Sequence, residues 1–233
     1  MPYDIVLFEL EGVLAETGAL RRDALRASLA TEGIALPDDV FAERCAGLPT
    51  AAAVAAAVDA VGATLDDTGR EIVALRAERH FTAAAGQGIV LVPGARELVE
   101  ASAARARLGV VTRAGRDVAR AIIALAGLEP YFQVVVTADD RAAPKPSPEP
   151  YRLALSRLGR LRPAFPERTL ALEDGAAGIQ SASAAGIRCL AVGALPAHAA
   201  LDACGALPSL TGVTPSMLAA AAGATLAGRE VSP

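Results

Sequence analysis

The sequence has 233 residues, of which 53% are hydrophobic and 21% charged, with a formal net charge of −4. That length allows one substantial α/β domain and a smaller inserted domain. The scattered charge and 3% aromatic content argue against a nucleic-acid partner, and no apolar stretch reaches the roughly 18–20 residues of a membrane span. The opening Met1-Pro2-Tyr3-Asp4 lacks the basic residues of a signal peptide, so we expect a cytoplasmic protein.

Strand-like and helix-like segments alternate along most of the chain. Five short runs rich in Val, Ile or Leu predict strands buried on both faces of a parallel sheet. These runs are residues 5–8, 108–112, 133–137, 169–173 and 188–192. The helical patterns between them are residues 93–106, 115–128, 148–158 and 176–185. This alternation predicts an α/β fold with a doubly wound, Rossmann-like parallel sheet.

The interval between about residues 15 and 88 breaks this alternation. It carries helical segments interrupted by glycine and proline, and no convincing strand. An interval of this length exceeds any ordinary strand-to-helix connection, so we expect it to fold as a separate, all-helical domain. The predicted α/β domain therefore comprises residues 1–14 and 89–233, and the inserted domain residues 15–88.

The first predicted strand ends at a pair of glutamates, Glu9 and Glu11, followed by Gly12. Ligands of an open parallel sheet bind beyond the carboxyl ends of its strands, so polar residues there are the candidates for chemistry. Two carboxylates at a strand end can hold a hard cation or divide nucleophile and proton-transfer work. They can equally be two solvated glutamates.

Three further strand ends carry polar residues. Thr112 and Arg113 precede a small-residue turn into a helix, which suits anion binding or simple capping. Lys145 stands in a loop stiffened by two prolines, where it can balance the charge of a phosphate and a carboxylate or remain a surface lysine. Glu173 and Asp174 form an acidic pair that is costly to bury unless paired or metal-bound, although Asp174 can also cap a helix.

In order and approximate spacing, these segments resemble the four motifs of haloacid dehalogenase-type phosphohydrolases: D-x-D-G-x-[LIV], a Ser or Thr, a KPxP lysine and an acidic pair. They read Glu9-x-Glu11-Gly12-Val13-Leu14, Thr112, Lys145-Pro146-Ser147-Pro148 and Glu173-Asp174. The similarity spans about residues 3–195. Residues 145–155 and 172–187 look especially like the β-phosphoglucomutase and sugar-phosphate phosphatase branch, in which a helical insertion after the first motif serves as a cap.

The resemblance implies a role for each matching residue. Glu9 would be the nucleophile that forms an acyl-phosphate and a ligand of Mg²⁺. Glu11 would transfer protons through its side chain and bind Mg²⁺ through its carbonyl oxygen. Thr112 and Lys145 would bind the phosphoryl group, and the Glu173–Asp174 pair would complete the Mg²⁺ site.

The implied partner is a small phosphorylated metabolite, such as a sugar phosphate or a phosphoglycolate-like compound. Arg113, and Thr17 and Arg21 in the cap, are candidates for binding it. We expect a monomer or weak dimer with no nucleic-acid or membrane partner.

The sequence departs from the family pattern in its first motif, where both aspartates are replaced by glutamate. The extra methylene moves each carboxylate by about 1.3–1.5 Å, and a displacement of about 1 Å can cost on the order of 10²-fold in rate. Two interpretations therefore stay open: a phosphatase, working at a full or an impaired rate, and a catalytically degenerate sugar-phosphate-binding or regulatory protein.

Two other activities fit the sequence less well. A mutase relative has a histidine where Arg21 stands, and several relatives have a phosphate-binding arginine where Thr50 stands. A haloacid dehalogenase would need no Mg²⁺, which would leave the Glu173–Asp174 pair without a purpose.

Overall fold

The structure, a computed structural model, describes residues 3–193, 195 and 200–227. The chain divides into two compact units, one formed by Met1–Glu16 and Val90–Pro233, the other by Thr17–Ile89. The first unit contains the sheet, and the regular elements of the second are all helical. The domain bounds predicted from the sequence, at residues 14/15 and 88/89, lie within two residues of the limits of these units.

The strands of the described residues are short, and in the sheet the four inner strands are almost wholly buried, whereas the edge strands are partly exposed. In chain order, the strands are β1 Ile5–Phe8, β2 Ala15–Glu16, β3 Val90–Leu91, β4 Arg107–Val111, β5 Phe132–Val136, β6 Thr169–Glu173, β7 Arg188–Val192 and β8 Gly205–Leu207. Six of them form one sheet in the order β5-β4-β1-β6-β7-β8, and every neighbouring pair is parallel. The predicted doubly wound sheet is confirmed.

The helices of the described residues fall into both units. They are α1 Gly18–Ala30, α2 Asp38–Val40 continued by a π-helical turn at Phe41–Cys45, α3 Thr50–Ala60, α4 Asp67–Gln87, α5 Ala95–Ala103, α6 Arg116–Leu125, α7 Glu149–Gly159, α8 Ala176–Ala184 and α9 Pro215–Ala227. Short 3₁₀ turns at Glu129–Tyr131 and Pro166–Arg168 lead into β5 and β6.

The sheet unit buries its apolar strands beneath these helices. Helices α7 and α8 cover one face, where Tyr151, Leu158 and Ile179 pack with Ile5 and Leu7 of β1 in a single buried cluster. Helix α5 contacts β4 and α9, while α9 also contacts β7 and β8. Because β1 lies in the middle of the sheet, its carboxyl end is surrounded by the ends of other strands.

The helical unit has its own apolar core. Helix α1 packs along α4, and α3 packs against both. The core contains Leu29, Val54, Val58 and Val73, all fully buried. Helix α4 begins at a capped end, where the side chain of Asp66 accepts a hydrogen bond of 2.7 Å from the main-chain N–H of Gly69.

A two-stranded antiparallel ladder joins the two chain segments at the limits of the sheet unit. Ala15 of β2 pairs with Leu91 of β3, and Glu16 pairs with Val90. The sequence did not predict this ladder or strand β8, because two or three residues are too few to show an alternating pattern. Among the described residues, we find no helix with the length and apolarity needed to span a bilayer.

Candidate active site

The ends of three neighbouring strands bring predicted site residues to one edge of the sheet. Strand β1 is hydrogen-bonded between β4 and β6, in parallel with both. Glu9 directly follows β1, Thr112 directly follows β4, and Glu173 is the last residue of β6. All three are buried, with 5%, 4% and 1% of their surfaces exposed. The strand order therefore gathers residues that are distant in the sequence.

Lys145 reaches this edge from the loop after β5, and its ammonium lies between two glutamates. Its Nζ atom is 2.6 Å from Oε2 of Glu9, 2.6 Å from Oε1 of Glu173 and 2.7 Å from the main-chain oxygen of Val111. Because an ammonium has three hydrogens, these three acceptors satisfy it fully. The side chain is 1% exposed, so both ion pairs are buried.

Burial and charge act against each other on Lys145 and Glu173. Burial alone would lower the pKa of Lys145, but the negative charges of Glu173 and Glu9 outweigh it and raise that pKa above its ordinary value. Burial raises the pKa of Glu173 to about 7, and the charge of Glu9 adds to this, while Lys145 and a hydrogen bond from Tyr151 oppose it. Lys145 thus stays charged, whereas it costs free energy to keep Glu173 ionised.

Both carboxylate oxygens of Glu9 are hydrogen-bonded by the chain itself. Oε2 accepts from Lys145, and Oε1 accepts from the main-chain N–H of Leu10 at 2.8 Å. The main-chain N–H of Glu9 donates to the oxygen of Leu172 at 3.0 Å, which fixes the backbone from which the side chain extends. A side chain of glutamate length therefore reaches Lys145 with good geometry.

Asp174 lies against the turn that follows β1. Gly12 in that turn has φ +79°, and a Cβ atom on it would lie 1.9 Å from Oδ2 of Asp174. The backbone conformation therefore favours glycine at position 12, and an added Cβ would also force the Asp174 carboxylate to move. This close approach explains in structural terms why the first motif has a glycine at position 12.

The pKa of Asp174 is raised to about 7. Burial of the carboxylate group is the largest cause, even though Asp174 as a whole residue is exposed to solvent, and the charges of Glu9 and Glu173 add to it. Lys145 and Arg113 act in the opposite direction. A carboxylate in this setting is stabilised by any further positive charge nearby.

Glu11 lies in the same turn and is half-buried. The turn is closed by a hydrogen bond of 2.8 Å from the N–H of Gly12 to the oxygen of Ala15, and Glu11 and Ala15 form a single β-bridge. Glu11 thus sits two residues beyond Glu9 on the same short segment. Its proton-transfer role stays a prediction.

Thr112 and Arg113 begin the turn from β4 to α6. The main-chain N–H of Thr112 donates to Val136 at 2.9 Å, and its Oγ1 accepts from the N–H of Ala114 at 3.2 Å. Arg113 is exposed, and its charge reaches Asp174. Both residues therefore belong to the sheet edge that carries the carboxylates.

The loop that carries Lys145 is held at two points. Asp140 accepts from the N–H of Thr137 at 2.7 Å and from Arg157 at 2.7 Å; burial would raise its pKa, but these partners lower it to about 2. Glu149 accepts from the N–H of Ala143 at 2.6 Å. These bonds, on either side of the lysine, fix the loop from which Lys145 extends.

The carboxylates of Glu9, Glu173 and Asp174 are hard oxygen donors of the kind that Mg²⁺ prefers. Within the part of the chain that the structure describes, however, no three Asp, Glu, His or Cys side chains converge closely enough to hold a metal ion. The predicted set of Glu9, Glu11, Glu173 and Asp174 is therefore not assembled here, because Glu9 and Glu173 both turn towards Lys145. Burial and the neighbouring carboxylates raise the pKa values of Glu173 and Asp174 to about 7, a cost of ionisation that a nearby positive charge would offset.

The two predicted residues of the inserted segment lie in the helical unit. Arg21 forms an ion pair of 2.9 Å with Glu78, and its guanidinium lies 3.7 Å from the ring centroid of Phe81. It also hydrogen-bonds Thr50 at 3.3 Å. Thr17 is buried and precedes α1. The structure therefore ties Arg21 to partners within its own unit, and a substrate-binding role for either residue remains a prediction.

Two contributors to the site escaped sequence reasoning. Tyr151 is fully buried, and its hydroxyl donates a short hydrogen bond to Oε1 of Glu173. Gly178 lies so close to the same carboxylate that a Cβ on it would be 2.0 Å from Oε2. Tyr151 falls on the apolar face of a predicted helix, where a tyrosine is interpreted as a core residue. Gly178 was missed because a glycine within a helix has no side chain to indicate chemistry.

A family model described as haloacid dehalogenase-like hydrolase matches residues 3–186. The chain is 33% identical over 190 residues to validoxylamine A 7'-phosphate phosphatase of Streptomyces hygroscopicus subsp. limoneus, covering 81% of this chain and 84% of that protein. It is 33% identical to phosphoglycolate phosphatase of Rhodospirillum rubrum, covering 78% and 76%.

A crystal structure of CbbY from Rhodobacter sphaeroides in complex with phosphate superposes with a TM-score of 0.79 and 28% identity, covering 93% of this chain and 99% of that one. The sheet, its strand-end carboxylates and these matches define a hydrolase of the α/β class. The chain belongs to the haloacid dehalogenase-like hydrolase family, and the resemblance seen in its motifs is confirmed.

Proposed function

We propose that this chain is a Mg²⁺-dependent phosphatase that removes phosphate from a small phosphorylated metabolite through an acyl-phosphate on Glu9. The observation that carries the proposal is the buried Lys145 ammonium, held at 2.6 Å from both Glu9 and Glu173 at the carboxyl ends of β1 and β6. The named phosphatases to which the chain is similar support the same reaction class. They favour a sugar phosphate or a phosphoglycolate-like substrate.

In the proposed reaction, a carboxylate oxygen of Glu9 attacks phosphorus and the bond to the leaving oxygen breaks. Glu11 gives its proton to that oxygen, so the alcohol leaves neutral. Water then attacks the phosphorus of the acyl-phosphate, and Glu11 takes up the proton of the water. Inorganic phosphate leaves, and the Glu9 carboxylate is restored.

Lys145 and Thr112 would bind the phosphoryl oxygens in this scheme. The ammonium of Lys145 already lies beside the Glu9 carboxylate, so it would exchange one of its three present acceptors for a phosphoryl oxygen, where charge develops during attack. Thr112 offers a hydroxyl at the neighbouring strand end, beside the exposed Arg113. The positive charges of Lys145 and Arg113 suit a dianionic phosphate.

Glu9, Asp174 and the main-chain oxygen of Glu11 are the groups we propose for Mg²⁺, with Glu173 beside them as predicted from the motif. When bound, Mg²⁺ supplies positive charge against the phosphoryl oxygens and the carboxylates. The raised pKa of Asp174 supports this, since a carboxyl that is costly to ionise gains most from a cation. Glu173 already accepts two hydrogen bonds on Oε1, which leaves its other oxygen for any such role.

A catalytically degenerate phosphometabolite-binding protein is the second candidate. The observation that favours it is the state of Glu9, whose two oxygens are both occupied by Lys145 and the N–H of Leu10. A nucleophile must release or share one of these bonds to reach phosphorus. If Glu9 keeps both of these bonds, the protein would bind phosphorylated metabolites without hydrolysing them.

Turnover of p-nitrophenyl phosphate and a panel of sugar phosphates, with Mg²⁺ and with a chelator, separates the two candidates. We expect Mg²⁺-dependent release of phosphate that falls by at least about 10³-fold in Glu9→Gln, which keeps the shape but cannot attack. The matched control is Glu97→Gln on the exposed face of α5, which should leave turnover unchanged. Binding of sugar phosphates without turnover by the wild type would favour the degenerate protein.

A further inference from the structure

Tyr151 of α7 lies directly behind the Lys145–Glu173 ion pair. It has no exposed surface, its hydroxyl donates to Oε1 of Glu173, and its ring centroid is 5.3 Å from Nζ of Lys145. That distance is within the range in which an ammonium is attracted to an aromatic face. One side chain thus contacts both members of the ion pair.

The hydrogen bonds leave the Glu173 carboxylate little freedom. Its Oε1 accepts from both Lys145 and Tyr151, and its Oε2 faces Gly178 at a distance that admits no Cβ. Without the tyrosine hydroxyl, Oε1 would keep the Lys145 ammonium, which is shared with Glu9 and Val111, as its remaining hydrogen-bond partner among the residues that the structure describes. The Tyr151 hydroxyl therefore fixes the orientation of the Glu173 carboxylate, and that carboxylate in turn positions the Lys145 ammonium.

We propose that Tyr151 is a positioning residue, whose hydroxyl orients the Glu173 carboxylate so that the ammonium of Lys145 is aimed at Glu9. The inference rests on the proposed function, because it assigns Tyr151 to the machinery of the same phosphoryl-transfer site. A purely structural tyrosine would matter only through its ring, which packs with Leu158 and Ile179. Phenylalanine would fill the same space, so the hydroxyl distinguishes the two roles.

The chain offers an unusually direct probe, because Lys145 is its only lysine. Protein made with isotopically labelled lysine therefore gives one set of side-chain NMR signals, which report on Lys145 alone. We would compare the wild type with Tyr151→Phe. The matched control is Tyr3→Phe, which removes the hydroxyl of another buried tyrosine, one ahead of β1 whose pKa is raised by burial, with the charge of Arg188 opposing.

We expect Tyr151→Phe to shift the Lys145 signals and to lower kcat by about ten-fold, as for loss of a hydrogen bond to a charged group, with KM changed less than about two-fold. Tyr3→Phe should change neither the signals nor kcat. Lys145 signals and kcat that match the wild type in folded Tyr151→Phe would overturn the proposal. A rise in KM and a fall in kcat of equal fold, with unshifted Lys145 signals, would also overturn the proposal, because they indicate a general structural effect.

The NMR comparison separates this inference from the proposed function. If the wild type has no phosphatase activity, shifted Lys145 signals in Tyr151→Phe still support the positioning role, and unshifted signals reject it. If Tyr151→Phe fails to fold, the wild type alone decides, by cross-peaks between the Lys145 side chain and the Tyr151 ring. Their absence would overturn the arrangement on which the inference depends.

Discussion

Glutamate at position 9 is one methylene longer than the aspartate of the family motif, and the structure shows what that length reaches. Oε2 lies 2.6 Å from Lys145 and Oε1 lies 2.8 Å from the N–H of Leu10, both ordinary distances for strong hydrogen bonds. The surroundings are thus fitted to a glutamate. We infer that the chain has adapted to its longer side chain.

Shortening the two glutamates tests that inference. We expect Glu9→Asp with Glu11→Asp to lower turnover by about 10²-fold, because the carboxylate at position 9 would fall about 1 Å or more short of its present place. The control is Glu97→Asp with Glu100→Asp, two exposed residues of α5. Steady-state rates with the best substrate give the answer, and faster turnover by the double variant would mean that the natural site is impaired.

Asp174 should make the stability of the metal-free protein depend on pH. Its pKa rises from 3.8 to about 7 on folding, so the folded state binds the proton more tightly than the unfolded state does. Its contribution to stability is therefore present below about pH 4 and is lost as the pH rises towards and through about 7. Above about pH 7 the Asp174 carboxylate is charged in surroundings that disfavour its negative charge.

We expect Asp174→Asn to relieve this cost. In the presence of a chelator, the melting temperature of the variant relative to the wild type should increase from about pH 5 to about pH 8. Asp202→Asn, at an exposed loop position, should show a constant difference over the same range. Thermal melts at several pH values measure both, and a difference for Asp174→Asn that shrinks with pH would contradict the assignment.

At the scale of elements, the first turn of α8 lies directly against the end of the preceding strand, β6. Gly178 lies in the first turn of α8, and a Cβ there would be 2.0 Å from Oε2 and 2.2 Å from the carboxylate carbon of Glu173. Lys145 and Tyr151 hold that carboxylate from the other side, so it cannot retreat easily. The helix thus helps to fix the acid at the end of β6.

Gly178→Ala should therefore destabilise the protein, although alanine ordinarily favours a helix. We expect a loss of about 1–3 kcal/mol in the free energy of unfolding, as for other overpacked sites. The matched change is Gly86→Ala in α4, where nothing lies within 4 Å of the added Cβ, and it should stabilise by up to about 1 kcal/mol. Denaturant titrations compare the two, and equal effects would show that the contact with Glu173 is unimportant.

The elements were predictable where the sequence pattern is long enough. Five buried strands of the sheet lie within one residue of their predicted bounds, because runs of Val, Ile and Leu mark strands covered on both faces. The β2–β3 ladder and β8 were missed, since two or three residues form no pattern. Their pairing depends on tertiary context.

The candidate site was predictable for a different reason. Glu9, Thr112, Lys145 and Glu173 were found because chemistry-bearing residues stand at strand ends. Tyr151 was missed because its polar tip is hidden in an apolar helix face. The direction in which each carboxylate turns, towards Lys145, also depends on side-chain packing that no spacing encodes.

At the scale of the whole molecule, Mg²⁺ should stabilise the folded protein. A ligand that binds only the folded state adds about 2.7 kcal/mol at a concentration of 100 times its Kd, so saturating Mg²⁺ should raise the melting temperature. The effect should be lost in Asp174→Ala and kept in Asp202→Ala, an exposed position of the same unit. Calorimetric titration with Mg²⁺ provides the direct comparison, and equal heats for the wild type and Asp174→Ala would exclude the site.

In the proposed reaction, the phosphoryl group is bound covalently to Glu9 before water releases it. A reaction with a substrate carrying radioactive phosphate, quenched in acid during turnover, should leave label on the protein, and hydroxylamine should release it, as expected for an acyl-phosphate. Digestion should place the label on the peptide that contains Glu9, and Glu9→Gln should carry none. Label on a different peptide, or turnover that never labels the protein, would contradict the account.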